Sequence, residues 1–555
     1  MPHLARTCVI WPRIALSAML GSAIFAPLSA QTAPGNGDDL YFATTLPLKG
    51  FGQPYQGRIF KVGVSTPLTL VASVLNSGLP PLSQCLTPCL SNNYNLSGPE
   101  LSRGAVILAY TGQADCEGAL CWRYNLYRTN VQGLANGTFG GVGRLSGNGR
   151  YLVHYSATLY YQYTDVAVFD LLTGVGTPLG AISDTSLYTA PEGRVVADDG
   201  TFAVVGNGHL NVFRHGKQIV VPLAKTAPNS LDRAVIDASG RTVMYQACCS
   251  PYYQLRVFRP DTNEDALFLK GDGNVVAPAI SADGRHVVFQ SQAQFSTSQL
   301  YQLWMANIDG TGLRTLTRDP DGIDTFALSD DGQAVWYFSG GAWYRLNTVS
   351  GEAQQLLPPT VTSASFFAVV PGSAVPVNGG AFGSDVRVAF DGIQAPILSR
   401  TGRSMVVQVP WEVPAAKSVM VSVENGTPSP FEALAPLPLK TLATYPRFVT
   451  PPIHQDWSGY VTQTSPARAG EIVYFYATGL GPVQPPVPTG VPAPVAPLSL
   501  PTTPPDCNLP VVFAGLAPGL VGYYLMYFQM PATGGSLVHV ACSRAETDIP
   551  FEAPR

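Results

Sequence analysis

Charge is scarce in this chain. Only 12% of its 555 residues are Asp, Glu, Lys or Arg, and the formal net charge is −4. With that balance and no basic stripe anywhere, the expected partners include no nucleic acid. Long apolar runs are scarce too. The one candidate, Ile14 to Ala26, follows Arg6 and Arg13 and is closed by Pro27, short of the ~20 residues a membrane span requires. It ends in the small residues Leu28-Ser29-Ala30, so residues 1–30 read as a secretory signal cleaved after Ala30. Cys8 precedes the apolar run, which argues against a lipoprotein anchor, and no later stretch is apolar enough to span a bilayer. Several catalytic signatures are missing as well. There is no Gly-x-Ser-x-Gly elbow, no Cys-x-x-Cys, and no pair of histidines at metal-ligand spacing. These gaps weigh against a serine hydrolase on an α/β domain and against zinc.

Turn formers are abundant: 55 Gly and 49 Pro, with 10% aromatics, the composition of a β-rich, folded protein. Six copies of one short turn signal recur. They are Leu101-Ser102-Arg103-Gly104, Ser146-Gly147-Asn148-Gly149, Ala197-Asp198-Asp199-Gly200, Asp237-Ala238-Ser239-Gly240, Ser281-Ala282-Asp283-Gly284 and Ser329-Asp330-Asp331-Gly332. The closing glycines stand 45, 51, 40, 44 and 48 residues apart, the period of a four-stranded propeller blade. Each is followed by alternating strands, such as Arg285-His286-Val287-Val288-Phe289 and then Leu303-Trp304-Met305. Upstream, Asp39-Leu40-Tyr41-Phe42, Arg58 to Val62 and Leu68 to Val71 look like three strands of a further blade. Its missing innermost strand is expected from Ser363 to Val370, closing the ring and removing free sheet edges. That gives seven blades, with six as the alternative.

Near residue 372 the anchors stop and proline rises. The expected layout is a signal peptide (1–30), a β-propeller (31–372), an Ig-like β-sandwich (373–434), a Pro-rich linker (435–441) and a second Ig-like sandwich (442–555). The fold class is therefore all-β: a seven-bladed, alternatively six-bladed, propeller followed by two Ig-like sandwiches. The proline-rich stretch Pro485 to Pro505 is read as an ordered loop rather than a free linker.

Two resemblances add to this. The stretch Ile280 to Phe289, with Leu303 to Thr317 after it, resembles the WD40-like repeat of the periplasmic TolB propeller, and the other blades match at the anchors and strand pattern. Val407-Gln408-Val409-Pro410-Trp411-Glu412-Val413, Tyr476 to Val483 and Phe513 to Gly522 resemble the Solibacter-type C-terminal domain of exported acidobacterial proteins. The first resemblance implies a fold and is nearly silent on function. The second implies an exported β-appendage with no catalytic residue.

Without Cys8, eight cysteines remain in a chain read as exported: Cys85, Cys89, Cys116, Cys121, Cys248, Cys249, Cys507 and Cys542. Spacing suggests the pairs 85–89, 116–121, 248–249 and 507–542, while connectivity stays open. In a propeller, second-to-third-strand loops and blade-to-blade loops share one face. The first six cysteines map there with Trp122, Tyr160, Tyr161, Tyr163, Tyr252, Tyr253 and Tyr301. Such rings supply contact area with a polar handle. They serve equally to pack long loops down. The expected function is a non-catalytic binding or scaffold protein, exported to the periplasm, cell surface or medium, whose rim takes a protein or glycan. No cofactor or metal is expected. Asp319 to Asp324 is oxygen-rich like a calcium loop, but it lacks the closing Glu and reads as a turn. The alternatives are an extracytoplasmic propeller enzyme, either glycan-cleaving or quinone-dependent with an adjacent Cys248-Cys249 ring, and a propeller spacer whose C-terminal module attaches to the surface.

Overall fold

The computed structural model describes residues 30–32, 39–44, 58–73, 95–103, 107–116, 119–128, 134–140, 142–157, 163–182, 193–206, 209–222, 233–247, 254–269, 275–291, 300–361, 363–431, 434–543 and 545–552. Among these the secondary structure is all β, with no α-helix, and no helix is long and apolar enough to cross a membrane. The chain divides into two compact units, Met1–Leu357 and Pro358–Arg555.

The first unit is a β-propeller built from antiparallel meander sheets in chain order. Among the described residues these run from Ala30–Thr32 to Thr69–Ser73, Asn95–Leu101 to Leu134–Gly140, Val142–Leu145 to Val175–Ile182, Phe202–Gly206 to Lys217–Pro222, Ala234–Ile236 to Glu264–Leu267, Val275–Ile280 to Arg314–Thr315, and Thr325–Leu328 to Ala353–Leu357. Six have four strands. The fourth sheet has three plus the single bridge Val196–Phe202. First strands of neighbouring sheets lie side by side from the first sheet to the third and from the fourth to the seventh, and the first strand of the first sheet lies against that of the last. Buried Phe42 and Trp343, with ring centroids 6.1 Å apart, join the same two sheets.

The closing strand differs from expectation. Ala30–Thr32 pairs with Leu40 to Phe42 and fills the innermost position. Ser363–Phe366 instead pairs with Ala374–Gly380 in the second unit. The division accordingly falls after Leu357 rather than after 372, because residues 363–366 have their hydrogen-bonding partners downstream.

The turn signal has a shared hydrogen-bond pattern. The Ser281 N–H donates to the His286 carbonyl (2.9 Å), and the Ser281 hydroxyl accepts the His286 N–H (3.0 Å). That hydroxyl donates to Asp283 Oδ1 (2.6 Å), which accepts the Arg285 N–H (3.0 Å). Ser329–Asp331 and Ser146–Asn148 repeat the pattern. Asp237–Ser239 runs it with the two roles exchanged. Gly284 and Gly332 close their turns at φ +71° and +72°, a backbone region open to glycine at no steric cost. In the first copy the bonding serine is Ser102, whose hydroxyl accepts the Ile107 N–H, so that copy starts one residue later than its sequence alignment suggested.

The second unit contains two cores. One lies between the sheet of Ser363–Phe366, Ala374–Gly380, Ser404–Gln408 and Ile397–Arg400 and the sheet of Ile393–Gln394, Val386–Phe390, Ser418–Asn425 and Leu437–Lys440. Alternating Val386, Val388, Phe390 and Val419, Val421, Val423 point into it. The stretch expected as a Pro-rich linker is here an edge strand: Leu437–Lys440 pairs with Ser418 to Val421, and Pro438 is tolerated at a sheet margin. The other core joins the sheet of Arg447–Phe448, Ile472–Thr478, Tyr524–Gln529 and Val511–Leu516 to that of Ala467–Arg468, Ala545–Glu552 and Leu537–Cys542. Val487 and Ala493 are buried in this core, so the proline-rich segment is packed down as expected. A Cys507–Cys542 disulfide ties it across 35 residues.

If the anchor serine holds its turn closed, Ser281→Ala should cost about 1 kcal/mol, because it leaves the part-buried His286 N–H and the Asp283 carboxylate each without that partner. Urea unfolding at constant m-value measures this. An unchanged midpoint would remove the serine from the account.

Candidate functional site: the two ends of the propeller

The meander order gives the propeller two chemically different ends. Turns joining first to second strands, and third to fourth, lie at one end. Second-to-third connections and the sheet-to-sheet crossings lie at the other. The described part of the predicted rim falls at this second end. Cys116 closes Ile107–Cys116 opposite Ala119, and Cys121 and Trp122 follow on the next strand, opposite Ala114 and Gln113. Tyr163 opens Tyr163–Asp170 opposite Ala157. Tyr301 is half-buried just before Gln302–Asn307, and its carbonyl accepts the Ile323 N–H (2.9 Å). Tyr160, Tyr161, Tyr252, Tyr253, Cys85, Cys89, Cys248 and Cys249 lie outside the described residues. The strands before and after Tyr160 and Tyr161 are Tyr151–Ala157 and Tyr163–Asp170, and those around residues 248–253 are Val243–Ala247 and Gln254–Arg259. Asp319 Oδ1 accepts the Asp321 N–H (2.9 Å), which is turn geometry. Among the described residues no group of three His, Cys, Asp or Glu side chains could hold a metal ion.

The opposite end carries a feature that sequence reasoning missed. A backbone N–H of each of the first five bonded turns links it to the next sheet's turn, from the second residue in four of them and from the third, Asn148, in the other. The Arg103 N–H donates to the Gly147 carbonyl (2.6 Å), Asn148 N–H to Asp198 Oδ1 (2.8 Å), Asp198 N–H to Ala238 (2.9 Å), Ala238 N–H to Ala282 (3.0 Å), and Ala282 N–H to Asp330 (2.7 Å). Two arginines then bridge the circle. The Arg103 guanidinium holds Asp198 and also Asp330 (Nε–Oδ2, 2.9 Å). Arg194 reaches Asp330 (3.1 Å) and the Leu101 carbonyl (3.0 Å). Burial works against the Arg103 charge, but the Asp198 and Asp330 carboxylates outweigh it and raise its pKa. The signal was present in the sequence. The second position holds Gly or Ala in three of the turns and a charged residue in Arg103, Asp198 and Asp330. Arg103 Nη2 is buried without a hydrogen-bond partner, but both carboxylates are paired with guanidinium groups, so the cluster is suited to locking the ring.

The second unit holds a Ser–His–Glu arrangement. His454 Nδ1 bonds Glu471 Oε1 (2.8 Å), while Nε2 lies 3.1 Å from the Ser465 hydroxyl. The same Nε2 is also 3.1 Å from the Ser465 carbonyl. A nitrogen facing a carbonyl is best placed as an N–H donor, not as a base taking a proton from Ser465. Pro466 follows and has no N–H to offer an oxyanion. The geometry is that of a clamp. Burial pushes the Glu471 carboxyl up, but the Arg468 N–H, His454 and the Gln455 N–H outweigh it, and the net pKa is below the ordinary 4.5.

No family model matches this chain, and no curated protein matches it. Among solved structures, TolB from Acinetobacter baumannii is similar at 12% identity and TM-score 0.34, covering 57% of this chain and 63% of its own. A prolyl endopeptidase is similar at 11% and 0.41, covering 64% and 55%. The β-propeller domain of the Trilobed protease from Pyrococcus furiosus is similar at 12% and 0.38, covering 60% and 96%. The chain thus spans 63% and 55% of the lengths of the first two. These neighbours are propellers, both of the TolB kind and of peptidases, and at this level of likeness no activity or ligand carries over to this chain.

Two outcomes follow. Asp330→Asn removes the counter-charge of two arginines and should cost about 3 kcal/mol in the first unit, read by chemical unfolding; a loss under 0.5 kcal/mol would contradict the locking role. A depressed carboxyl pKa contributes stability that is present above the unfolded value and lost as pH falls through the folded one. Glu471→Gln should therefore lower the second unit's stability at neutral pH and flatten its decline below pH 4.5, as followed by acid titration of tryptophan fluorescence.

Proposed function

We propose that this is an exported, non-catalytic binding or scaffold protein, whose seven-bladed propeller recognises a protein or glycan at the cell envelope through its rim. The observation that carries the reading is the segregation of chemistry between the two ends. At the anchor end the Arg103, Arg194, Asp198 and Asp330 side chains are taken up in joining sheets to one another. Trp122, Tyr163 and Tyr301 occur at the connections of the other end, where the side-chain links between sheets among the described residues come from glutamines, Gln246 to Ala277 and Gln290 to Ile323, and not from ion pairs. Loops on a rigid scaffold are where binding groups concentrate, and Tyr and Trp are the anchors that dominate interfaces. In this reading the half-cystines of the same loops hold the rings in place before binding, lowering its entropic cost. The downstream module, read as two Ig-like sandwiches of the Solibacter type, acts as spacer or attachment module, and residues 1–30 direct export.

The test uses the full mature chain against cell-envelope fractions and a glycan array. Removing a buried aromatic anchor costs about 2 kcal/mol, roughly thirtyfold in affinity. Trp122→Ala and the double variant Tyr252→Ala/Tyr253→Ala are expected to lose binding by that order while the melting temperature stays within a few degrees. Binding unchanged in both variants contradicts the rim as the site.

A further inference from the structure

The outer face of one sheet in the second unit carries a continuous row of aromatic rings. On Ile472–Thr478, Val473, Phe475 and Ala477 point into the core, which leaves Tyr474 and Tyr476 facing outward. Tyr474 pairs in register with Tyr527, and Tyr527 with Phe513. Trp457 extends the row from a preceding turn. Successive centroid distances from Trp457 through Tyr474 and Tyr527 to Phe513 are 5.0, 4.4 and 4.9 Å. Trp457 is 52% exposed and Tyr460 beside it 54%.

The turn that presents Trp457 is built to hold it. The buried His454 ring is clamped between Glu471 and Ser465. The Trp457 N–H donates to the His454 carbonyl (3.0 Å), and the Tyr474 hydroxyl to the Gln455 carbonyl (3.0 Å). Trp457 itself sits at φ +60°, where a bulky side chain is disfavoured, so the turn dictates its position. A large ring fixed in solvent on a rigid sheet is an investment that the core does not require.

We propose that this row is a second binding site, independent of the rim, and that its occupant is a neutral polysaccharide chain of a cell surface. The charge pattern selects the ligand. Among the described residues no cation is stacked over any of the four rings, and the residue before Trp457 is Asp456, whose carboxyl is held below its ordinary pKa by Ser458. An anionic polymer would be repelled there. The C–H faces of neutral sugars lie on ring faces, and their hydroxyls donate to the Asp456 carboxylate. Tyr and Trp supply that mixture of apolar face and polar edge. His454 is a positioning residue: it sets where Trp457 stands and touches no sugar.

Affinity electrophoresis of the full chain through gels containing a soluble β-1,3-glucan, a cellulose derivative, a galactomannan or heparin tests this. Retardation is expected in at least one neutral gel and not in heparin. Trp457→Ala should weaken it at least tenfold, Trp457→Phe by less, and Tyr252→Ala/Tyr253→Ala not at all, which separates this site from the rim. Trp457→Phe also guards against a variant that misfolds, with the melting curve recorded for each. No retardation in any neutral gel, equal retardation in heparin, or retardation indifferent to Trp457 overturns the proposal. So does a dimer in sedimentation velocity that Trp457→Ala dissolves, because a second copy would then be the occupant.

Discussion

Four-stranded antiparallel sheets arranged around an axis have no stability as separate objects. Each exposes two edges and two apolar faces, and the joint between neighbours decides whether they close into a ring. In this protein the joint is made at the anchor turns, where one sheet's turn donates a backbone hydrogen bond to the next. Arg103 and Arg194 then draw Asp198 and Asp330 together across the circle. Everything at the other end rests on this, because its loops are held only as firmly as the ring beneath them.

The use of charge follows from its scarcity. A chain with 12% charged residues concentrates several of them in this half-buried network. Such pairs gain little when exposed and cost much when one member is missing. In the propeller the half-buried pairs of Arg103 and Arg194 with Asp198 and Asp330 serve closure. The second unit makes a similar choice on a smaller scale, with one His–Glu pair holding a turn and a row of rings lying beside it.

Legibility in the sequence followed the range of the interactions. The turn signal was readable because its hydrogen bonds close within six residues, and Ser, Asp or Asn, and Gly each have a local task. The closing strand was not. Ala30–Thr32 is three residues long and follows closely on the apolar run Ile14 to Ala26, while Ser363 to Val370 offered a longer strand pattern with a competing partner in Ala374–Gly380. Leu437–Lys440 was hidden by its prolines, which an edge strand accepts. The bond from Arg103 to Asp330 joins residues 227 apart, and no local pattern encodes that distance. The outward alternation of Tyr474 and Tyr476 was visible in principle. Alignment with Tyr527 and Phe513 needed the strand register, and Trp457 needed the turn.

Amide hydrogen exchange on the full chain, free and saturated with a cell-envelope extract that it retains, tests the central assignment of binding to one end of the propeller. Protection on binding is expected around residues 116–122, 157–163, 247–254 and 291–301, with the anchor turns at 146–151, 281–286 and 329–334 already protected and unchanged. Protection gained at those turns while the other end stays as it was would contradict the assignment.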